Sequence, residues 1–198
     1  MMNLDIYMVG VGGQGILTIG ELVASAALEK GIPVNFYPSK GMAQRGGFVK
    51  AQLRLGKEKV GPNIPQKGAD LVLSMEISEA LKAVRFLKPG GYFVLFAEVF
   101  APTNVMLGKA GYPSLEAVVE EIKKVEGSHL VVIDPKSLPE FEGRTVADNV
   151  FMLGTTLKHT PLGKVFTKED MTKVIHARWT KGVEANSFAL DAGMKYKG

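Results

Sequence analysis

Two rhythms of apolar and polar residues run along the chain. Leu4–Val9 is a short apolar run, and Phe48–Leu55 alternates strictly, with Val49, Ala51, Leu53 and Leu55 on one side. Both are strand patterns. Between them Ile16, Leu17, Ile19, Leu22, Val23 and Ala27 recur at helical spacing, which predicts a helix from Gly15 to Lys30 closed by Gly31 and Pro33. The same reading predicts further strands over 33–37, 70–75, 92–97 and 130–133. Helices are predicted over 78–87, 114–125, 146–159, 168–179 and 183–195, with Ser114 as an N-cap, and no strand is expected after Asp134. Strands alternating with helices predict an α/β fold. We expect one three-layer, doubly wound domain over residues 1–198, with a mostly parallel sheet and a helical C-terminal third.

Composition narrows the function without naming it. Twenty-four Lys and Arg against 20 Asp and Glu give a net charge of +4, scattered along the chain, so no nucleic-acid partner is expected. There is no cysteine, which removes both disulfides and thiolate ligation of an iron–sulfur cluster. No basic residue precedes the first apolar run, and runs such as Tyr92–Ala97 fall far short of the roughly 20 residues that span a bilayer. A cytoplasmic location without membrane contact is the expectation.

Two glycine-rich stretches carry the candidate chemistry. Gly10-Val-Gly-Gly-Gln-Gly15 fits G-x-G-x-x-G at a strand-to-helix turn. Glycines there allow close backbone approach, and the helix N-terminus offers N–H groups to a phosphate. A dinucleotide site also needs an acid near the end of the second strand to hold the ribose. That stretch reads Phe36-Tyr-Pro-Ser-Lys40, and the next acid after Glu29 is Glu58. Three readings stay open for Gly10, Gly12, Gly13, Gln14 and Gly15: binding of a phosphate-bearing ligand or substrate edge, close helix–sheet packing, or binding of free NAD.

The second stretch, Ser39-Lys-Gly-Met-Ala-Gln-Arg-Gly-Gly47, offers Lys40, Gln44 and Arg45 as donors. In a doubly wound sheet it would lie at the carboxyl edge beside the first turn, forming an anion-binding rim. The alternative is a solvated loop.

Together the two loops resemble the gamma-type domain of 2-oxoacid:ferredoxin oxidoreductases, above all the beta subunit of the indolepyruvate enzymes. The resemblance continues through Ile64-Pro65, Gly68-Ala-Asp70, Glu76, Glu79-Ala-Leu81, Lys88-Pro-Gly-Gly91, Tyr112-Pro113, Asn149, Leu153-Gly154 and Val183-Glu-Ala-Asn186, nearly the whole chain. Ala43 and Lys40 depart from it, since the family often has Ser and an acid there.

The resemblance implies a subunit that is inactive alone and serves a complex. The complex decarboxylates a 2-oxoacid oxidatively to an acyl-coenzyme A and passes electrons to ferredoxin. It implies thiamine diphosphate and iron–sulfur clusters on partner subunits, no cofactor bound by this chain alone, and coenzyme A at a shared cleft faced by the glycine loops with Lys40, Gln44 and Arg45. An isolated chain is a candidate homodimer. The alternatives are a stand-alone NAD(P)-binding oxidoreductase, or the gamma subunit of a pyruvate, 2-oxoisovalerate or 2-oxoglutarate enzyme. No catalytic constellation or metal-ligand spacing is expected, and His129, His159 and His176 read as structural or surface residues.

Overall fold

The computed structural model describes residues 3–40 and 47–198. Strand β1 (Leu4–Val11) is buried along its whole length and forms the middle of a six-stranded sheet. It leads through the first glycine turn into helix α1 (Ile16–Glu29), then to β2 (Val34–Lys40) and β3 (Phe48–Leu55). Strand β4 (Ala69–Ser74), helix α2 (Ile77–Ala83) and β5 (Leu87–Phe96) follow. A connecting segment holds the short α3 (Thr103–Met106) before α4 (Leu115–Lys123) and β6 (His129–Ile133).

The C-terminal third begins with a hairpin of β7 (Glu140–Phe141) and β8 (Arg144–Thr145), then α5 (Asp148–His159), α6 (Lys168–Arg178) and α7 (Val183–Lys195).

The sheet order is β2-β3-β1-β4-β5-β6. Parallel pairing links β1, β4, β5 and β6, whereas β3 runs antiparallel to both β1 and β2. Side-chain alternation then sorts the core into two layers. Ile6, Met8, Val94 and Phe96 face α1, α5 and the helices beyond. Tyr7, Val9, Phe93 and Leu95 face α2 and α4. Val49, Ala51, Leu53 and Leu55 are all buried in the first layer, as the alternation of β3 predicts.

Three expectations need correction. β2 extends past Tyr37 through Pro38 to Lys40, because it is the outermost strand and the missing proline N–H points away from β3. β5 begins at Leu87 rather than Tyr92, and α2 stops at Ala83. Pairing of Leu87 with Ala69, followed by a register shift, draws Lys88-Pro-Gly-Gly91 into the sheet. The β7–β8 hairpin was not expected after Asp134; each arm is two residues long, too short to show a period.

Helices α5 and α7 lie in backbone contact. A Cβ on Gly154 would stand 2.2 Å from the Leu190 carbonyl oxygen, and one on Gly193 would stand 2.0 Å from that of Phe151. This contact seals the first core layer and positions the start of α5 against the glycine turn.

Candidate functional site

The carboxyl ends of β1, β4 and β5 share one edge of the sheet, and the end of β2 lies at the same edge. The first glycine turn is wired to its neighbours there. The Gln14 side chain accepts a hydrogen bond from the Val11 N–H (2.7 Å) through Oε1. Its Nε2 donates to the Met75 carbonyl (2.8 Å) and to Glu98 Oε2 (3.2 Å). One amide thus ties the ends of three strands together, and both its donors are engaged within the chain.

Gly15 has φ +75° at the start of α1, and a Cβ there would stand 2.3 Å from Asn149 Nδ2. That amide donates to the Gly15 carbonyl (3.3 Å), so the first turn of α5 docks on the first turn of α1. No side chain caps α1. Gly13, with φ +109°, is exposed, and a Cβ there would meet nothing within 4 Å, which leaves open space beside the turn.

The two glycine loops meet as the sheet topology requires. Gly12 N–H donates to the Gly47 carbonyl (2.8 Å), and Val11 pairs with Phe48. At the other end of the second loop, Lys40 pairs with Val49 through the backbone. The loop therefore leaves and re-enters the sheet beside the first turn. Gln44 and Arg45 themselves lie outside the described residues. Gly10, Gly12, Gly13, Gln14 and Gly15 form one turn, and the backbone of Lys40 lies across β3 from it.

The sheet order also bears on the dinucleotide alternative. In that site the second strand neighbours the first, and its terminal acid reaches the ribose. Here β3 separates them, moving the end of β2 to about 10 Å from β1 at the usual strand spacing. The strand ends in Lys40, with no acid on it.

Two acids at this edge are not among the site residues expected from the sequence. Glu98 follows β5 and accepts from Gln14. Asp148 opens α5, and its pKa is raised, first by burial and also by the charge of Glu98. An acid at a strand end or in a helix first turn has an ordinary explanation, so neither stood out. Asn149, one residue on, was the available pointer. Neutralising Asp148 removes a charge that folding disfavours. We expect Asp148→Asn to keep or raise the melting temperature at pH 7, by up to about 1 kcal/mol of stability. Gln14→Ala should cost about 2 kcal/mol by stranding buried partners, lowering the melting temperature by roughly 6 °C. Thermal melts of both variants check these values.

The segment after Glu98 is strapped to α2. Glu76, fully buried, caps that helix by accepting from the Glu79 N–H (2.7 Å) and also accepts from Ser78 Oγ (2.8 Å). Its other oxygen accepts from the Tyr112 hydroxyl and the Phe100 N–H. Burial and the Glu76 carboxylate together push the Tyr112 hydroxyl well above its usual range. The histidines are engaged elsewhere: His129 stacks on Tyr92, His159 Nε2 meets the Tyr196 carbonyl, and His176 Nε2 meets Ser187 Oγ. Among the described residues no group of three His, Asp or Glu side chains could hold a metal ion, and no helix is long and apolar enough to cross a membrane.

The sequence pattern of the pyruvate ferredoxin/flavodoxin oxidoreductase family matches residues 5–196. The chain belongs to this family. Within it, the chain is 36% identical to the indolepyruvate oxidoreductase subunit IorB of Pyrococcus horikoshii, over 98% of this chain and 96% of that one. The pyruvate/ketoisovalerate oxidoreductase common subunit gamma of Thermococcus kodakarensis is more distant, at 27% over 86% of this chain and 85% of its own.

Solved structures of this family share the fold. The pyruvate oxidoreductase subunit PORC of Thermotoga maritima superposes with a TM-score of 0.71 at 22% identity, covering 98% of this chain and 96% of that one. The 2-oxoglutarate:ferredoxin oxidoreductase of Magnetococcus marinus, solved with 2-oxoglutarate, coenzyme A and succinyl-CoA, gives 0.65 at 18% identity. This chain corresponds to 98% of its own length but 31% of that longer polypeptide.

Proposed function

We propose that this chain is the non-thiamine-binding subunit of a 2-oxoacid:ferredoxin oxidoreductase of the indolepyruvate type, acting in the cytoplasm within a complex. The observation that carries the reading is the end-to-end similarity to IorB subunits, at 36% identity against 27% for a pyruvate/ketoisovalerate gamma subunit. The intervening β3 and the absent ribose-binding acid weigh against the stand-alone NAD(P)-binding alternative.

In this reading thiamine diphosphate and the iron–sulfur clusters belong to partner subunits, and the thiamine cofactor supplies the decarboxylation chemistry. This chain contributes a rim to the shared cleft. Gly12 and Gly13 keep the turn low enough for close approach, Gln14 and Gly15 hold its shape, and the uncapped start of α1 favours an anion. Lys40, Gln44 and Arg45 add positive charge and donors for the phosphates of coenzyme A. No residue here is assigned a proton transfer.

The test is a coenzyme A titration of the intact complex. Arg45→Ala is expected to raise the KM for coenzyme A roughly tenfold with kcat little changed, the loss expected of one charge-assisted contact. An unchanged KM removes Arg45 from the site.

A further inference from the structure

We propose that Asp148 and Glu98 form a carboxylate pair beside the glycine turn, and that an anion reaching the turn binds together with a proton taken up by that pair. The proposal rests on the function argued above, in which the anion is a phosphate of coenzyme A, and adds a regulation of that site by pH.

Hydrogen bonds place both acids at the turn. Glu98, in the segment after β5, accepts from Gln14 Nε2 (3.2 Å). Asp148 opens α5, and its neighbour Asn149 donates to the Gly15 carbonyl (3.3 Å). Two elements far apart in the chain thus bring a carboxylate each to the same turn, and both side chains are half-buried. Neither is matched by a cation: none of the nine salt bridges among the described residues includes Glu98 or Asp148. Asp148 accepts instead from the Asn149 backbone N–H (2.7 Å).

Two such carboxylates conflict with an anion site. Gly13 leaves open space beside the turn and the start of α1 is uncapped, which favours an anion, while each carboxylate repels it. A proton on one acid relieves its repulsion with the other acid and with the ligand together. Asp148 is the member that takes it. Burial first, and then the charge of Glu98, already hold its pKa above the ordinary 3.8. An anion at the turn raises it further.

The other charges around α5 leave this pairing intact. Helix α5 packs on α1, α7 and β5. On α1, Glu21 and Glu29 are engaged by Arg178 and Lys173, and on α7 Asp191 is engaged by Lys168. Lys88 of β5 is bound to Asp70. Lys158, His159 and Lys164 lie at the far end of α5, whose 12 residues separate them from Asp148. Glu184 and Lys195 on α7 and Arg144 on β8 complete the set, and Glu98 is the charged group whose field raises the Asp148 pKa. Lys40 and Arg45 are the ligand's counter-charges in the function argued above.

The direction of the pH effect follows from linkage. Below the Asp148 pKa of the free protein the proton is already present, and affinity is highest. As pH rises from there through the pKa of the bound form, binding must take up a proton and affinity falls. A unit anion within about 10 Å, at the effective dielectric of a protein surface, makes this a roughly tenfold effect.

Calorimetric titration of coenzyme A into the intact complex, in buffers of different ionisation heat, measures affinity and proton uptake together. The coenzyme's own phosphate titration is common to all variants and cancels in their comparison. Asp148→Asn is expected to bind roughly tenfold tighter than the unaltered complex at pH 7.5 and to take up fewer protons, with the gap narrowing towards pH 5.5. Glu98→Gln, which can still accept from Gln14, should move the range of the gap to lower pH. Asn149→Ala, which loosens the turn without changing charge, should weaken binding alike at every pH. Asp148→Asn with the affinity and proton uptake of the unaltered complex overturns the proposal while the subunit reading stands. A uniform loss at every pH gives Asp148 a purely structural role and also overturns it. An unaltered complex that does not bind coenzyme A overturns both the proposal and the reading.

Discussion

Gly193→Ala is expected to destabilise the fold by about 3 kcal/mol and to lower the melting temperature by roughly 10 °C. The new methyl group would lie 2.0 Å from the Phe151 carbonyl oxygen and 2.9 Å from the Thr155 nitrogen. These are backbone atoms inside α5, so no side-chain rotation can relieve the clash. The helices must part instead. Gly154 faces the same contact from α5, so separation also disturbs the packing of Phe151 and Leu190 in the core. Thr155 Oγ1, which lies 3.2 Å from both the Phe151 and Gly193 carbonyl oxygens and shares its one proton between them, would lose one partner. Gly61→Ala is the control: nothing lies within 4 Å of its Cβ position, and its effect should be neutral or slightly stabilising. Calorimetric melts of both variants check the difference.

Asp5→Asn is expected to cost a further class of energy, about 3 kcal/mol at pH 7, without touching the glycine edge. Asp5 accepts a bidentate pair of bonds from Arg54, both 2.9 Å, and one from Lys57 at 2.7 Å. Arg54 stands directly across from it on β3, with its side chain 12% exposed. The neutral amide leaves two cations without their counter-charge. Burial pushes the Asp5 carboxyl upward, but Arg54 and Lys57 outweigh it and hold the pKa below the ordinary 3.8. A carboxylate with a depressed folded pKa contributes stability that is complete above its unfolded value and lost as pH falls through the folded one. The gap between the unaltered chain and Asp5→Asn should therefore be constant near neutrality and shrink below about pH 4. Chemical denaturation at pH 7 and at pH 3 measures it; a gap that does not narrow in acid contradicts the assignment.

The strand and helix order was legible because the elements show either a period of their own, as Val49, Ala51, Leu53 and Leu55 do in β3, or a short unbroken apolar run, as the buried β1 does. Direction is not written in a period. Phe48–Leu55 reads the same whichever way it runs, so its antiparallel insertion between β1 and β2 emerged only from the pairing. Leu87–Gly91 contains Pro and Gly and looks like a terminator; its partner strand recruits it. At the site, the two glycine loops were legible as neighbours, and the Gly12–Gly47 bond joins their ends. The role of Gln14 was not, because its partners Met75 and Glu98 lie 61 and 84 positions away. The nearness of Glu98 to Asp148 was not legible for the same reason: only folding brings them together.

The most direct measurement is turnover by the chain alone and by the chain reconstituted with its partner subunit, with coenzyme A, ferredoxin and either indolepyruvate or pyruvate. The chain alone is expected to show no turnover. The complex is expected to reduce ferredoxin in a coenzyme A-dependent reaction, with indolepyruvate preferred. Turnover by the chain alone with NAD or NADP, or a complex that prefers pyruvate, would contradict the proposed function.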